Sequence, residues 1–127
     1  MLELARRFQS GEPVRIRSIA ERHGIPSQFL VQILLQLKQA GLVASTRGAG
    51  GGYRLAQTPE EVTLADVVGV VEGQGLGGEN APRSELAPVL AKAFYRAAEA
   101  EWQALSAFSL ADLAQQAAEP GAAMYYI

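Results

Sequence analysis

Leu42-Val43-Ala44-Ser45-Thr46-Arg47-Gly48-Ala49-Gly50-Gly51-Gly52-Tyr53-Arg54-Leu55 is the stretch whose reading decides the fold. Two short apolar strands flank a glycine tip carrying Arg47 and Arg54. Glycine accepts positive φ and lets backbone lie close to a surface, and the arginines give that approach an electrostatic target. The stretch therefore reads as the wing of a winged helix, aimed at nucleic-acid phosphate. Taken alone, such a loop is read first as a solvated hairpin without a partner. A phosphate-cradling enzyme loop is the third reading, but it requires a helix directly after the glycines, and Tyr53-Arg54-Leu55 continues as a strand.

The residues before the hairpin favour the wing. Ile25-Pro26 begins a helix that runs to Ala40 and is closed by Gly41. Leu30, Ile33, Leu34 and Leu37 form one stripe spaced for the core. Opposite lie Gln28, Gln32, Leu35 and Gln39, flanked by Ser27, Val31 and Lys38. A solvated helix usually carries Glu and Lys on that face, whereas glutamine pairs bidentately with the adenine edge in a major groove. A plain exposed face is the alternative. Upstream, a shorter helix is predicted from about Ile16 to His23, burying Ile16, Ile19 and Ala20, with Gly24 after its end. Helix, turn, helix and two-stranded wing is the order of a winged helix-turn-helix, whose second helix enters the major groove.

The chain opens on a helix face of Met1, Leu4, Ala5 and Phe8, ended by Ser10-Gly11-Glu12-Pro13. No Ser, Thr, Asp or Asn precedes it as a cap, so its first turns are expected to be missing. After the wing, Thr63 opens a helix with Asp66 as its capping-box partner and Leu64, Val67, Val68 and Val71 expected to be buried. A Gly-rich loop follows over 74–84, read first as a linker, with an effector site or a relic as alternatives. The longest helix is predicted from Glu85 to Ala107, with Leu86, Leu90, Ala93, Ala97 and Leu105 on a broad stripe beside Phe94 and Trp102. Ser109 caps a last helix, with Asp112 at its third position and Leu110, Leu113 and Ala114 inward. A solitary winged helix does not need the long helix, so it is assigned to dimerisation, against the alternative of a helix folded back on its own core.

Composition narrows the function. With 127 residues and 49% hydrophobic content, the chain suits one domain that needs no metal or disulfide staple. It contains no cysteine, which excludes thiolate catalysis, Cys-ligated zinc and Cys-ligated iron–sulfur clusters. His23 is the only histidine, which rules out multi-His metal sites, and its place in a last helical turn suits it to complementing a helix terminus. The net charge of −2 hides an asymmetry. Residues 1–54 hold eight Lys and Arg against three Glu, and the remainder holds three against ten acids. A basic front half and an acidic back half suggest one face that meets an anion. No signal peptide or membrane span is legible, and a cytoplasmic location is expected.

At these residues the chain resembles the IscR-type family of bacterial winged-helix regulators, named for the iron–sulfur cluster regulator. The resemblance is carried by I-A-E-R-H-G-I-P-S-Q-F-L-V-Q-I-L from Ile19 to Leu34, by A-G-L-V-A-S-T-R-G-A-G-G-G-Y-R-L from Ala40 to Leu55, and by Thr58 to Gly73. It implies a homodimer on palindromic double-stranded DNA. It also implies DNA contacts from Ser27, Gln28 and Gln32 on the helix and from Arg47, Gly48 and Gly50 in the wing, with Tyr53 and Leu30 packing. Three departures matter. Family members begin further upstream, with polar DNA-facing residues that this sequence lacks. Val31 stands where many relatives carry Glu; a carboxylate can accept from cytosine N4, whereas Val offers only apolar contact, such as to a thymine methyl. The loop after Gly73 lacks the cluster-binding cysteines of relatives.

The expectation is thus a mainly α fold with a small β-hairpin wing, a winged helix-turn-helix over 1–73, dimerisation helices over 85–118 and a tail over 119–127. Its DNA-binding residues are Ser27, Gln28, Val31, Gln32, Arg47, Gly48, Gly50 and Arg54, with no cofactor and no enzymatic activity. The alternative is a degenerate winged helix that binds another protein. A small nucleotide-using enzyme fails for want of a catalytic constellation.

Overall fold

The computed structural model describes residues 1–72 and 85–119. The expectations for the Gly-rich loop and for the tail from residue 120 fall outside these residues. Helix α1 (Leu2–Arg6) leads into a 3₁₀ turn at Phe8–Ser10. The sequence pattern carried one α-helix through Phe8, but the chain tightens after Arg6: Ser10 Oγ donates to Arg7 O at 2.8 Å and the Gly11 N–H to Phe8 O at 3.2 Å. Short-range partners such as these satisfy carbonyls that have no further turn to bond them. Helix α2 (Ile16–His23) and helix α3 (Ser27–Gln39) follow, then an antiparallel hairpin of β1 (Val43–Thr46) and β2 (Gly52–Leu55). Helices α4 (Leu64–Val71), α5 (Ala87–Ser106) and α6 (Leu110–Ala118) complete the described chain.

One core joins nearly all of these elements. Leu4, Ile19, Leu30, Leu34, Leu37, Val43, Leu55, Val62 and Leu110 lie in a single buried cluster. The stripe on α3 points into it as its spacing dictates, with Ile33 only partly covered, and on α2 Ile16 is likewise half-buried beside buried Ile19 and Ala20. Pro26 stands at the N-cap of α3, one position earlier than the sequence pattern places it.

Helix α4 corrects an expectation. Its buried residue is Ala65; Val67 and Val70 pack partly against the core, Leu64 and Val68 are half-covered, and Val71 is 41% exposed. A helix apolar on every side has no single stripe to read. Here α4 lies between the core and α5, and a Cβ added at Gly69 would stand 3.3 Å from the Trp102 ring.

The capping box predicted at Thr63 and the cap predicted at Ser109 both form, and Ser109 too makes a full capping box, each hydroxyl accepting from an Asp N–H three residues on and each Asp carboxylate accepting from the cap's own N–H. These two helix starts sit side by side, because Thr63 and Ser109 form an antiparallel bridge and the Leu110 N–H donates to Val62 O at 2.8 Å. Segment 85–118 therefore contributes α6, which returns to the core and packs on α1, and α5, which contains no buried residue. On α5, Leu90 and Phe94 are 55% and 56% exposed, Ala97, Trp102 and the N-cap residue Leu86 are exposed too, and Leu105 is half-buried.

A buried carboxylate ties α1 to α2. Glu3 is only 8% exposed; its Oε1 accepts from Arg22 Nη1 at 2.9 Å and from Arg7 Nε at 3.3 Å, and His23 Nε2 stands 3.6 Å from Oε2. Burial pushes the Glu3 carboxyl up, but Arg22, then Arg7 and His23, outweigh it and hold the group below its ordinary value. A depressed carboxylate contributes stability that is complete above its unfolded value and lost as pH falls through its folded value. The free energy of urea unfolding should therefore decline as pH drops below about 4.5, and Glu3→Gln should lack that part of the decline. Identical acid limbs for the two proteins would show that Glu3 carries none of it.

Candidate nucleic-acid interface

The angle between α2 and α3 is made by a very short connection. His23 ends α2, Gly24 takes φ 63°, a conformation that favours glycine, and Ile25-Pro26 delivers the chain to α3. The Ile25 N–H then reaches back to Ala20 O at 3.0 Å. With Leu30, Leu34 and Leu37 in the core, the outward side of α3 carries Ser27, Gln28, Val31 and Gln32, all exposed, followed by Leu35, Lys38 and Gln39. No acidic side chain stands anywhere on this helix.

In the hairpin, Val43 pairs with Leu55, Ala44 with Arg54, Ser45 with Tyr53 and Thr46 with Gly52. Alternation turns Val43 and Leu55 into the core, which leaves Arg54 on the opposite face of the ribbon, exposed and away from the tip. Arg47, Gly48 and Gly50 occupy the exposed tip. Close approach inside the molecule falls on two other glycines. A Cβ at Gly51 would overlap Thr46 O, and one at Gly52, where φ is 153°, would overlap Val14 O; at Gly48 and Gly50 nothing lies within 4 Å.

Gly52 is crowded because β2 has a neighbour that the sequence pattern did not reveal. Val14 and Tyr53 exchange both backbone hydrogen bonds, at 2.7 and 2.8 Å, so the segment leading into α2 lies along the wing. A single bridge leaves no alternation to read. Arg15, next in sequence, donates from Nη2 to Ala49 O in the wing tip. Sequence reasoning passed over Arg15, whose position after Pro13-Val14 carries no motif. Together these contacts border an open groove of about 650 Å³ between the start of α2 and the wing, lined by Arg15, Ile16, Ser45, Arg47, Gly48 and Tyr53. Among the described residues, no three His, Asp or Glu side chains stand close enough to hold a metal ion.

A helix-turn-helix with an exposed polar second helix, followed by a two-stranded wing with an arginine tip, defines a winged helix-turn-helix protein of the transcription-regulator class. Comparison with known proteins gives the family. The sequence profile of Rrf2, described as an iron-dependent transcriptional regulator, matches residues 1–116. The chain belongs to the Rrf2 family of helix-turn-helix transcriptional regulators.

It is 35% identical to the HTH-type transcriptional regulator CymR of Bacillus subtilis over 128 residues, which cover all of this chain and 91% of that protein. It is 46% identical to the HTH-type transcriptional regulator IscR of Aliivibrio salmonicida over 72 residues, 57% of this chain. That match spans 42% of the IscR relative, less than half of its length. Among solved structures, IscR of T. potens superposes with a TM-score of 0.73 at 32% identity, covering 98% of this chain and 87% of that one.

The crowding at Gly52 makes the wing's attachment testable. Gly52→Ala should destabilise the fold by roughly 1–3 kcal/mol, read from urea unfolding, while Gly50→Ala should cost well under half as much. Equal losses would mean that the backbone beside Val14 does not constrain the wing.

Proposed function

We propose that this chain is a homodimeric, sequence-specific DNA-binding regulator that works without an iron–sulfur cluster. The observation that carries the reading is the acid-free outward face of α3 standing in one fold with an arginine-tipped wing. Gln28 and Gln32 read base edges in the major groove, where an amide pairs bidentately with adenine, and Ser27 bonds to base or phosphate beside them. Val31 gives an apolar contact that selects a thymine methyl, so the operator differs from those of relatives with Glu at this place. Arg47 holds backbone phosphate or enters the minor groove, with Gly48 and Gly50 keeping the tip thin. Arg54, on the ribbon's outer face, adds long-range attraction to the strand.

The exposed apolar side of α5 supports the dimer. Leu86, Leu90, Phe94 and Trp102 present more apolar surface than a monomeric helix leaves in water, and Ala97 permits close approach of a second α5. The family description speaks of iron, yet 127 residues without a cysteine do not fit cluster ligation by thiolates. No step of the proposed action passes through such a group.

Quantitative duplex binding tests this reading. Arg47→Ala should weaken binding to every duplex and reduce the log–log salt slope by about one unit, whereas Gln32→Ala should cost roughly 1–3 kcal/mol on the preferred site and little on random DNA. An unchanged slope would remove Arg47 from the phosphate contacts. Equal losses on both duplexes would remove Gln32 from base reading. Stable dimers with no salt-dependent duplex affinity would favour a protein-binding winged helix instead.

A further inference from the structure

Beside the wing lies a second concavity that the reading above does not use. It is a cavity of about 240 Å³ between α1 and α2, lined by Glu3, Arg7, Arg15, Ser18 and Arg22 together with Pro13 and Val14. Arg15 borders both this cavity and the groove beneath the wing, so the two concavities adjoin through one guanidinium.

Three features of the cavity point to an anionic oxygen ligand. First, three arginines line it against one carboxylate, leaving two positive charges in excess. Second, Glu3 does not consume the arginines' hydrogen-bonding capacity. Arg7 reaches it through Nε alone and Arg22 through Nη1 alone, so each keeps other guanidinium N–H groups for a second acceptor. The carboxylate thus fixes two forks whose remaining donors await oxygen. Third, the start of α2 breaks a local rule. Arg15 stands at the N-cap, where a side-chain acceptor is preferred, no side-chain hydrogen bond caps the helix, and its first turn holds no acidic residue. A cation at a helix N-terminus opposes the helix dipole, and a bound anion beside Arg15 and Ser18 would reverse that cost.

We propose that this cavity is a second phosphate site, which grips a phosphodiester of the duplex next to the one held by the wing. This rests on the DNA-binding reading. Arg15 is its pivot: one fork arm holds the Ala49 carbonyl and fixes the tip, while the other N–H groups face the phosphate. Arg7 and Arg22, set by Glu3, complete the oxygen shell, and the Ser18 hydroxyl donates from the first turn of α2.

Ser18→Asp separates binding from folding, because a carboxylate in the first turn complements the helix dipole while repelling phosphate. Its melting temperature should equal or exceed that of the wild type, while duplex affinity at moderate salt falls about tenfold. Arg15→Gln should lower the salt slope by about one unit, in addition to the unit lost in Arg47→Ala, when both are measured by fluorescence anisotropy on one duplex. If Ser18→Asp and Arg15→Gln keep wild-type affinity and slope while Arg47→Ala does not, this site is overturned and the DNA-binding reading stands. If the wild type itself shows no salt-dependent binding, both fall. Inorganic phosphate provides the remaining arm. A melting temperature that it raises in the wild type but not in Ser18→Asp, with duplex affinity equal in the two, would assign the cavity to a free anion and overturn the phosphodiester.

Discussion

Two backbone hydrogen bonds between Val14 and Tyr53 set the geometry on which the interface depends. A two-stranded ribbon by itself is at best marginally stable in water, and its tip has no fixed direction relative to the helices. The Val14 bridge attaches the ribbon's second strand to the residue that precedes α2, and Arg15 then ties the tip through Ala49. This demands that the chain pass Val14 with no side chain in the way, which is why Gly52 has no room for a Cβ. Helix α2 in turn packs on α3 through the common core, so the wing and α3 belong to one packed frame. In the proposed complex such a frame would set the spacing of contacts to base edge and backbone before a duplex arrives, and association would then not bear the cost of ordering them.

The distribution of apolar surface divides the rear of the molecule. Leu110 fills the core beside Val62, and with about 25 cal/mol gained per Å² of apolar area buried it holds α6 firmly to the DNA-binding frame. Helix α5 does the opposite, leaving its large apolar side chains in water. Because the α5–α6 unit is anchored at its junction, through Gly69 against Trp102 and through the Thr63–Ser109 bridge, a partner covering α5 would be joined to the frame that carries α3. Two copies joined along α5 would present two recognition helices whose separation the protein dictates.

Much of this was legible in the sequence because local rules and periodicity agreed. The stripe on α3, the glycine after α2, the hairpin and the caps at Thr63 and Ser109 follow from residues near one another in the chain, and the structure forms each of them. What escaped reading depends on long-range partners or lacks a period. Glu3 is polar at a helical position that spacing alone would leave in water, and only the fold brings Arg22 to it from nineteen positions away. Val14 and Arg15 sit in a single bridge with no alternation, and the tip they hold is thirty-four positions from Arg15. Helix α4 misled for the reverse reason, since apolar residues on all sides give no stripe and burial is then decided by what packs there. Arg54 and Arg47 read alike as arginines of one hairpin, and only the strand register separates them.

The measurement that bears most directly on the central claim is selection from a random duplex pool at fixed moderate salt. The account predicts enrichment of a two-fold symmetric site whose half-sites lie about one helical turn apart, with bases that place adenine and a thymine methyl opposite Gln32 and Val31. Failure of any sequence to enrich, from a protein shown to be folded and dimeric in the same buffer, would contradict it.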